Sequence, residues 1–303
     1  MSDLDGFRQR LSAQMGEEAA AWLGTLDGFV RTLEARWELE LGEPFPHAGI
    51  GWTVRAIHHG EEPCVLRIAY PDGWFLEQTE ALRRWDGQGA VRLLADDANG
   101  AQLLERCEPG TTLAEEPDED TALDVAAGVA ERLWAADASG IATVAEETLE
   151  WARTMPGRHA LMGRPFERTL IDEAVALIRD LAVSQPERVL LHGDLTVANI
   201  LAAEREPWLA IGPKPLAGER AFDAASLIRD RPEVLVASAD GGRARLQRRF
   251  DRLRGGLDLD PERLKGWTVA VAVDEALWAY EAGDHAGSEQ RIEVARVLRE
   301  LRV

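Results

Sequence analysis

His192, Gly193 and Asp194 stand in succession in a polar break between two apolar runs, and Asn199 follows the Asp by five positions. A carboxylate can orient a hydroxyl and accept its proton, and an amide oxygen on the same loop can ligate a hard cation. Transfer of a phosphoryl group to a hydroxyl asks for this pairing, with Asp194 as the base and Asn199 as the metal-side ligand. An Asp and an Asn at this spacing are alone uninformative. The preceding His-Gly, the apolar flanks and the PKP of 213–215 make the pattern specific.

The elements that must carry this loop follow from periodicity. Trp22, Leu26, Phe29, Val30, Leu33 and Trp37 recur at helical spacing within 17–40, and Gly42, Pro44 and Pro46 stop the pattern. Residues 51–57 and 64–70, rich in Val and Ile around HHGEEP, predict a β-hairpin, and 74–85 predict a helix closed by Gly87. Residues 90–95 and 101–107 flank Asn99-Gly100, the signature of a hairpin with a type I′ turn. Beyond Pro109, Gly110 and the acidic run 115–120 the pattern turns helical: 121–137, 146–153, 166–183 and four segments after Phe222. The apolar segments 189–201 and 207–215 interrupt it, each a strand meeting a functional loop. The expected architecture is α+β, with a β-rich N-terminal lobe of five-stranded type over 1–106, opened by a leading helix and built around one central helix, and a mainly helical C-terminal lobe over 107–303.

Composition limits the partners. The 303 residues hold 46% apolar and 29% charged side chains, an ordinary globular balance. Lys and Arg number 34 against 54 Asp and Glu, a formal charge of −20 that repels a nucleic-acid backbone and suits a small polar or cationic molecule or a basic partner. The same charge also serves solubility alone. The opening residues lack the basic start and apolar run of a signal peptide, and charges break every long apolar stretch, so the expectation is a cytoplasmic protein with no membrane contact. Cys64 and Cys107 lie in runs that read as strands and are expected as two buried thiols.

Five stretches, RWEL (36–39), ALRRWDGQGAVRLL (81–94), LLERCEPGTTL (103–113), LLHGDLTVANIL (190–201) and PKPLAGERAFDAASLIRDR (213–231), carry a resemblance that covers nearly the whole chain. The sequence resembles the streptomycin 6-kinase and hydroxyurea phosphotransferase branch of the aminoglycoside phosphotransferases. The resemblance implies a protein-kinase-like two-lobed fold, ATP and Mg2+ as cofactors, and a small polar or cationic acceptor held by the helical lobe. It makes Asp194 the catalytic Asp and Asn199 the magnesium-binding Asn. Segment 103–108, with Glu105 and Cys107, corresponds to the stretch whose backbone meets adenine. Asp223, in FDxA, corresponds to a carboxylate that braces the catalytic loop.

Three positions depart from the family pattern. VLRI places Arg67 where VLKV carries the phosphate-binding Lys, and a planar guanidinium does not replace an ammonium atom for atom. The helix partner of that Lys, a Glu in the family, aligns with Gln78, although Glu77 and Glu80 leave the register open. IDPKP is IGPKP here, so Gly212 stands where the metal-bridging Asp belongs; Glu204, Glu219 or Asp223 would have to reach the metal instead, and Lys214 could offset phosphate charge or make an ordinary loop contact.

Other residues weigh less. His58 and His59 sit in a turn without companion ligands, and Trp267, Trp278 and Tyr280 read as helix packing. Asp274, Trp278 and Glu281 recur at i, i+4 and i+7, so one helix face presents two acids and a ring, either an acceptor-binding face or a solvated stripe. Two functions stay open: an ATP-dependent kinase of a small-molecule hydroxyl, such as that of an antibiotic, or a pseudokinase whose site binds a small molecule or protein without turnover.

Overall fold

A computed structural model describes residues 2–45, 51–237 and 242–303. Pro46, read above as part of a helix stop, lies outside them. The chain forms two compact units, Met1–Gly110 with Ala203–Arg205, and Thr111–Ala202 with Glu206–Val303.

Alternation builds the first unit. Strands β1 (Leu39–Pro44), β2 (Trp52–His58), β3 (Glu62–Ile68), β4 (Leu93–Asp97) and β5 (Ala101–Glu105) form one antiparallel sheet in the order β1-β2-β3-β5-β4. Val54, Ala56, Cys64, Leu66, Ile68, Ala101 and Leu103 join a core with Phe7 and Leu11 of helix α1 (Ser2–Met15) and Leu26, Val30 and Leu33 of helix α2 (Ala20–Arg36). A strand's side chains alternate between faces, so Arg67 and Gln102, which pair across β3 and β5, project from the opposite face. There they meet helix α3 (Gly73–Trp85), whose first turn is capped by Asp72 accepting from the Phe75 N–H at 2.9 Å.

The second unit is mainly helical. Helix α4 (Glu119–Leu133) is followed by α5 (Val144–Leu161) and α6 (Arg168–Val183). Four three-residue strands then intervene: β6 (Val189–Leu191), β7 (Ile200–Ala202), β8 (Trp208–Ala210) and β9 (Leu216–Gly218). β6 pairs with β9 and β7 with β8. Helices α7 (Arg220–Arg229), α8 (Pro232–Val236), α9 (Arg243–Gly256), α10 (Pro261–Glu281) and α11 (His285–Arg299) complete it. α10 starts at an Asp260 cap followed by Pro261, is buried at every position from Gly266 to Val273, and packs against α5, α6, α7 and α11, the position a helix apolar all round its middle must take. No helix among the described residues is long and apolar enough to cross a membrane.

Several expectations need correction. The helix read over 17–40 ends at Arg36; Glu38 adopts a left-handed φ of 48° and the chain enters β1 at Leu39. Among the described residues the first unit holds α1 in addition to the two helices expected, the leading one and the central one. The second hairpin closes through Ala98, Asn99 and Gly100, with only Gly100 at positive φ (107°), so the turn is not type I′. Both nitrogens of Asn99 donate to Asp97 Oδ1, at 2.9 and 2.8 Å, which holds the three-residue loop in shape. Cys107 lies beyond the end of β5 and is only partly buried, whereas Cys64 is buried in β3. Trp267 is fully buried, but Trp278 is 68% exposed and packs no core.

Candidate active site

In the first unit β3 delivers Arg67 and α3 delivers Gln78. Arg67 Nη1 donates to Gln78 Oε1 at 2.6 Å and to Gln102 Oε1 at 3.1 Å. Glu80 instead pairs with Arg83 and Arg84. Gln102 is fully buried and passes its amide N–H to Thr79 Oγ1 at 2.8 Å, so its carbonyl has to face Arg67. Two neutral amides thus hold the guanidinium where the family pattern supplies a carboxylate. Burial pushes its pKa down to about 10, which leaves it cationic at neutral pH.

The side chain of Glu105 is committed within the unit. It takes a two-pronged bond from Arg205, at 2.7 and 2.9 Å, and the Arg92 N–H at 2.9 Å. Burial raises the Glu105 pKa, but these bonds outweigh it and hold the carboxyl below its ordinary range. The Glu105 N–H is committed as well, donating to the Arg92 carbonyl at 2.9 Å. Burial pushes the neighbouring Cys107 thiol up to about 12, so it is neutral and not a nucleophile.

In the second unit β6 runs into the loop that carries His192, Gly193 and Asp194. Asp223, fully buried near the start of α7, accepts from the His192 N–H and the Gly193 N–H, each at 2.8 Å, and from Trp134 Nε1 at 3.0 Å. It braces the loop and offers no oxygen to chemistry. Gly193 is required on two counts. Its φ is +74°, and a Cβ there would lie 1.8 Å from the Lys214 carbonyl oxygen.

His192 Nε2 lies 3.0 Å from the Ile211 carbonyl, which can only accept, while Nδ1 takes the Asp194 N–H at 3.3 Å. The ring is therefore the neutral tautomer protonated at Nε2. Burial is the main cause of a pKa below the ordinary imidazole range. A base depressed in the folded state stabilises the fold fully above its unfolded pKa of about 6.5, and that contribution disappears as pH falls through the folded value. The parent should therefore lose stability relative to His192→Asn between pH 7 and 5, at a slope of up to about 1.4 kcal/mol per pH unit. Denaturant melts of both proteins across this range give the difference, and parallel curves would show that His192 does not titrate against the fold.

Asn199 Nδ2 donates to the Asp194 carbonyl at 2.8 Å, and the Ile211 N–H donates to the Asn199 carbonyl at 2.9 Å, which ties the loop to the Gly212 segment. Gly212 has φ +64°, and a Cβ there would meet one atom within 4 Å, Asn199 Oδ1 at 4.0 Å. Lys214 Nζ lies 3.0 Å from Asp194 Oδ2. A magnesium ion at the expected position would find an amide oxygen and a carboxylate already bonded to an ammonium group. Glu219 is fixed by Arg263 and Trp267, Asp223 by the loop backbone, and Glu204 is exposed in the first unit. Among the described residues no cluster of three or more His, Cys, Asp or Glu could hold a metal. This donor set does not fit magnesium.

The structure thus brings together Asp194, Asn199 and Gly212, and separately Arg67 and Gln78. Asp274, Trp278 and Glu281 do share a face of α10, but its acids are engaged. Arg158 of α5 donates to Asp274 Oδ1 at 2.7 Å and to Glu281 at 2.8–3.1 Å. Burial raises the Asp274 pKa against the pull of Arg158. Glu275 points elsewhere, to Arg229 at 2.8 Å. Gln102 and Arg158 were not anticipated. A Gln inside the apolar run AQLLERC was a signal for the first, and nothing local marked the second.

A family profile described as aminoglycoside/hydroxyurea antibiotic resistance kinase matches residues 43–283. The streptomycin 6-kinase of Streptomyces glaucescens is 35% identical over 94% of this chain and 92% of its own. A hydroxyurea phosphotransferase of Kitasatospora aureofaciens is 37% identical over 90% of this chain and 78% of its own. Among solved structures, a thermostable mutant of aminoglycoside phosphotransferase APH(4)-Ia, in ternary complex with ADP and hygromycin B, superposes with a TM-score of 0.61 at 14% identity, covering 89% of this chain and 97% of that one. A choline kinase from Streptococcus pneumoniae gives 0.59 at 13% identity, covering 91% and 99%. The five-stranded first unit, the helical second unit and these likenesses make the fold protein-kinase-like and α+β, and the chain belongs to the aminoglycoside/hydroxyurea antibiotic resistance kinase family.

Proposed function

We propose that the chain transfers the γ-phosphoryl group of ATP to a hydroxyl of a small polar or cationic molecule. Asp194 accepts the hydroxyl proton as the new O–P bond forms, and the β–γ bridging oxygen leaves with ADP. Arg67 contributes positive charge toward the phosphates, and the backbone beyond the end of β5, around Cys107, receives the adenine. The observation that carries this reading is the intact bracing of the loop: three bonds to Asp223 and the Asn199 bond to the Asp194 carbonyl hold the carboxylate in place. The relatives' substrates, streptomycin and hydroxyurea, supply the first acceptors to try, and a formal charge of −20 favours the cationic one.

The second reading, a binding module without turnover, is favoured by Gly212 and by the ammonium group of Lys214 on the catalytic carboxylate. Mass spectrometry of a panel of aminoglycosides and hydroxyurea after incubation with ATP separates the two. A phosphorylated acceptor is expected. ATP binding by the folded protein with no product from any acceptor would leave the binding module.

A further inference from the structure

We propose that Lys214 takes the place of the divalent cation, so that this chain binds the triphosphate of ATP without magnesium. The inference rests on the phosphotransferase reading and adds to it the ionic form of the nucleotide.

The donor set already argues against a metal, and the backbone explains why Lys214 can replace one. The Lys214 N–H donates to the His192 carbonyl at 2.8 Å, and its own carbonyl packs so closely on Gly193 that no side chain fits there. The root of the lysine is therefore fixed to the catalytic loop, two residues past Gly212. Its ammonium group reaches Asp194 Oδ2 at 3.0 Å, yet the side chain is 64% exposed. A fixed root, a flexible stem and a solvent-facing head let the ammonium share a carboxylate oxygen and a phosphate oxygen at once.

Charge points the same way. With a carboxylate at 212 the loop would carry net negative charge and would need a cation before a polyphosphate could approach. With Gly212 the charges of Asp194 and Lys214 cancel. The first unit shows the same change independently: Arg67 is bonded to the amide oxygens of Gln78 and Gln102, so its charge is not cancelled by a carboxylate partner. Each unit has lost one negative charge at a phosphate-handling position while keeping its cation.

The test is calorimetric titration of the full chain with ATP, once in excess EDTA and once in millimolar magnesium. The parent should bind with dissociation constants within about threefold of each other in the two buffers. Lys214→Met should weaken binding in EDTA at least tenfold, and Lys214→Arg should recover most of it, with melting curves confirming that both variants fold. Binding at least tenfold tighter in magnesium would overturn the inference while leaving the phosphotransferase reading intact; if Glu204→Gln then removed that gain, the exposed carboxylate would be the missing ligand. Equal metal-free affinity of the parent and Lys214→Met would also overturn it. Failure of the folded parent to bind ATP in either buffer would overturn both the inference and the reading beneath it.

Discussion

Replacing Asp223 by Ala is expected to lower the stability of the second unit by about 4 kcal/mol, because three buried donors lose their acceptor at once. The donors are the His192 and Gly193 N–H groups and Trp134 Nε1, and the carboxylate that serves them is fully buried. At a few degrees per kcal/mol for a domain of this size, the melting midpoint should fall by roughly 10 °C. Asp223→Asn should be intermediate, since it keeps one oxygen and turns an NH2 toward a donor. Calorimetric melts of the three proteins settle the matter. If Asp223 acted in the chemistry instead, its replacement would remove turnover and leave the midpoint unmoved.

Gly212→Asp is expected to convert nucleotide binding to a magnesium-dependent form, with affinity in magnesium rising at least tenfold over the same variant in EDTA. The site has room for the side chain. Nothing lies closer to the new Cβ than Asn199 Oδ1 at 4.0 Å, so carboxylate and amide oxygens can share one hard cation. The backbone is already left-handed at φ +64°, a conformation Asp tolerates better than most residues, at a cost of about 1 kcal/mol in stability. Gln78→Glu would then set a carboxylate against Arg67, where Gln78 Oε1 now lies at 2.6 Å. Arg67→Lys should add least, because a positive charge is already present and only its shape changes. ATP titrations of the single and triple variants with and without magnesium read the effect. A folded triple variant no better in magnesium than the parent would show that more than these three side chains separates the site from a magnesium-dependent one.

Both hairpins, α3 and the 192–199 loop were legible because each depends on local order: alternation, turn residues, a cap, or a motif whose spacing is itself the chemistry. The first strand was not, since the helical pattern of α2 runs through Trp37 and only the left-handed turn at Glu38 breaks it. α1 buries Leu4, Phe7 and Leu11 at helical spacing, a pattern of only three apolar positions among polar ones. The site divides in the same way. Asp194 and Asn199 stood out only through the His-Gly before the Asp, the apolar flanks and the PKP that follows, all within 25 positions of one another. The state of the acidic face on α10 depends on Arg158, more than a hundred positions away, and that of Arg67 on a strand partner whose register is set by the whole sheet. Gly212 was visible as a missing carboxylate. That Lys214 already faces Asp194 became visible only once the backbone bond to His192 had fixed its root.

The most direct test of the central claim, that Asp194 is the base of a retained phosphotransfer loop, compares the parent with Asp194→Asn in transfer of the γ-phosphoryl group from labelled ATP to an accepted aminoglycoside or hydroxyurea. Loss of a positioned base should slow transfer at least a hundredfold at saturating ATP, since the side chain acts on the acceptor hydroxyl. Transfer at the parental rate by a folded Asp194→Asn protein would contradict the account.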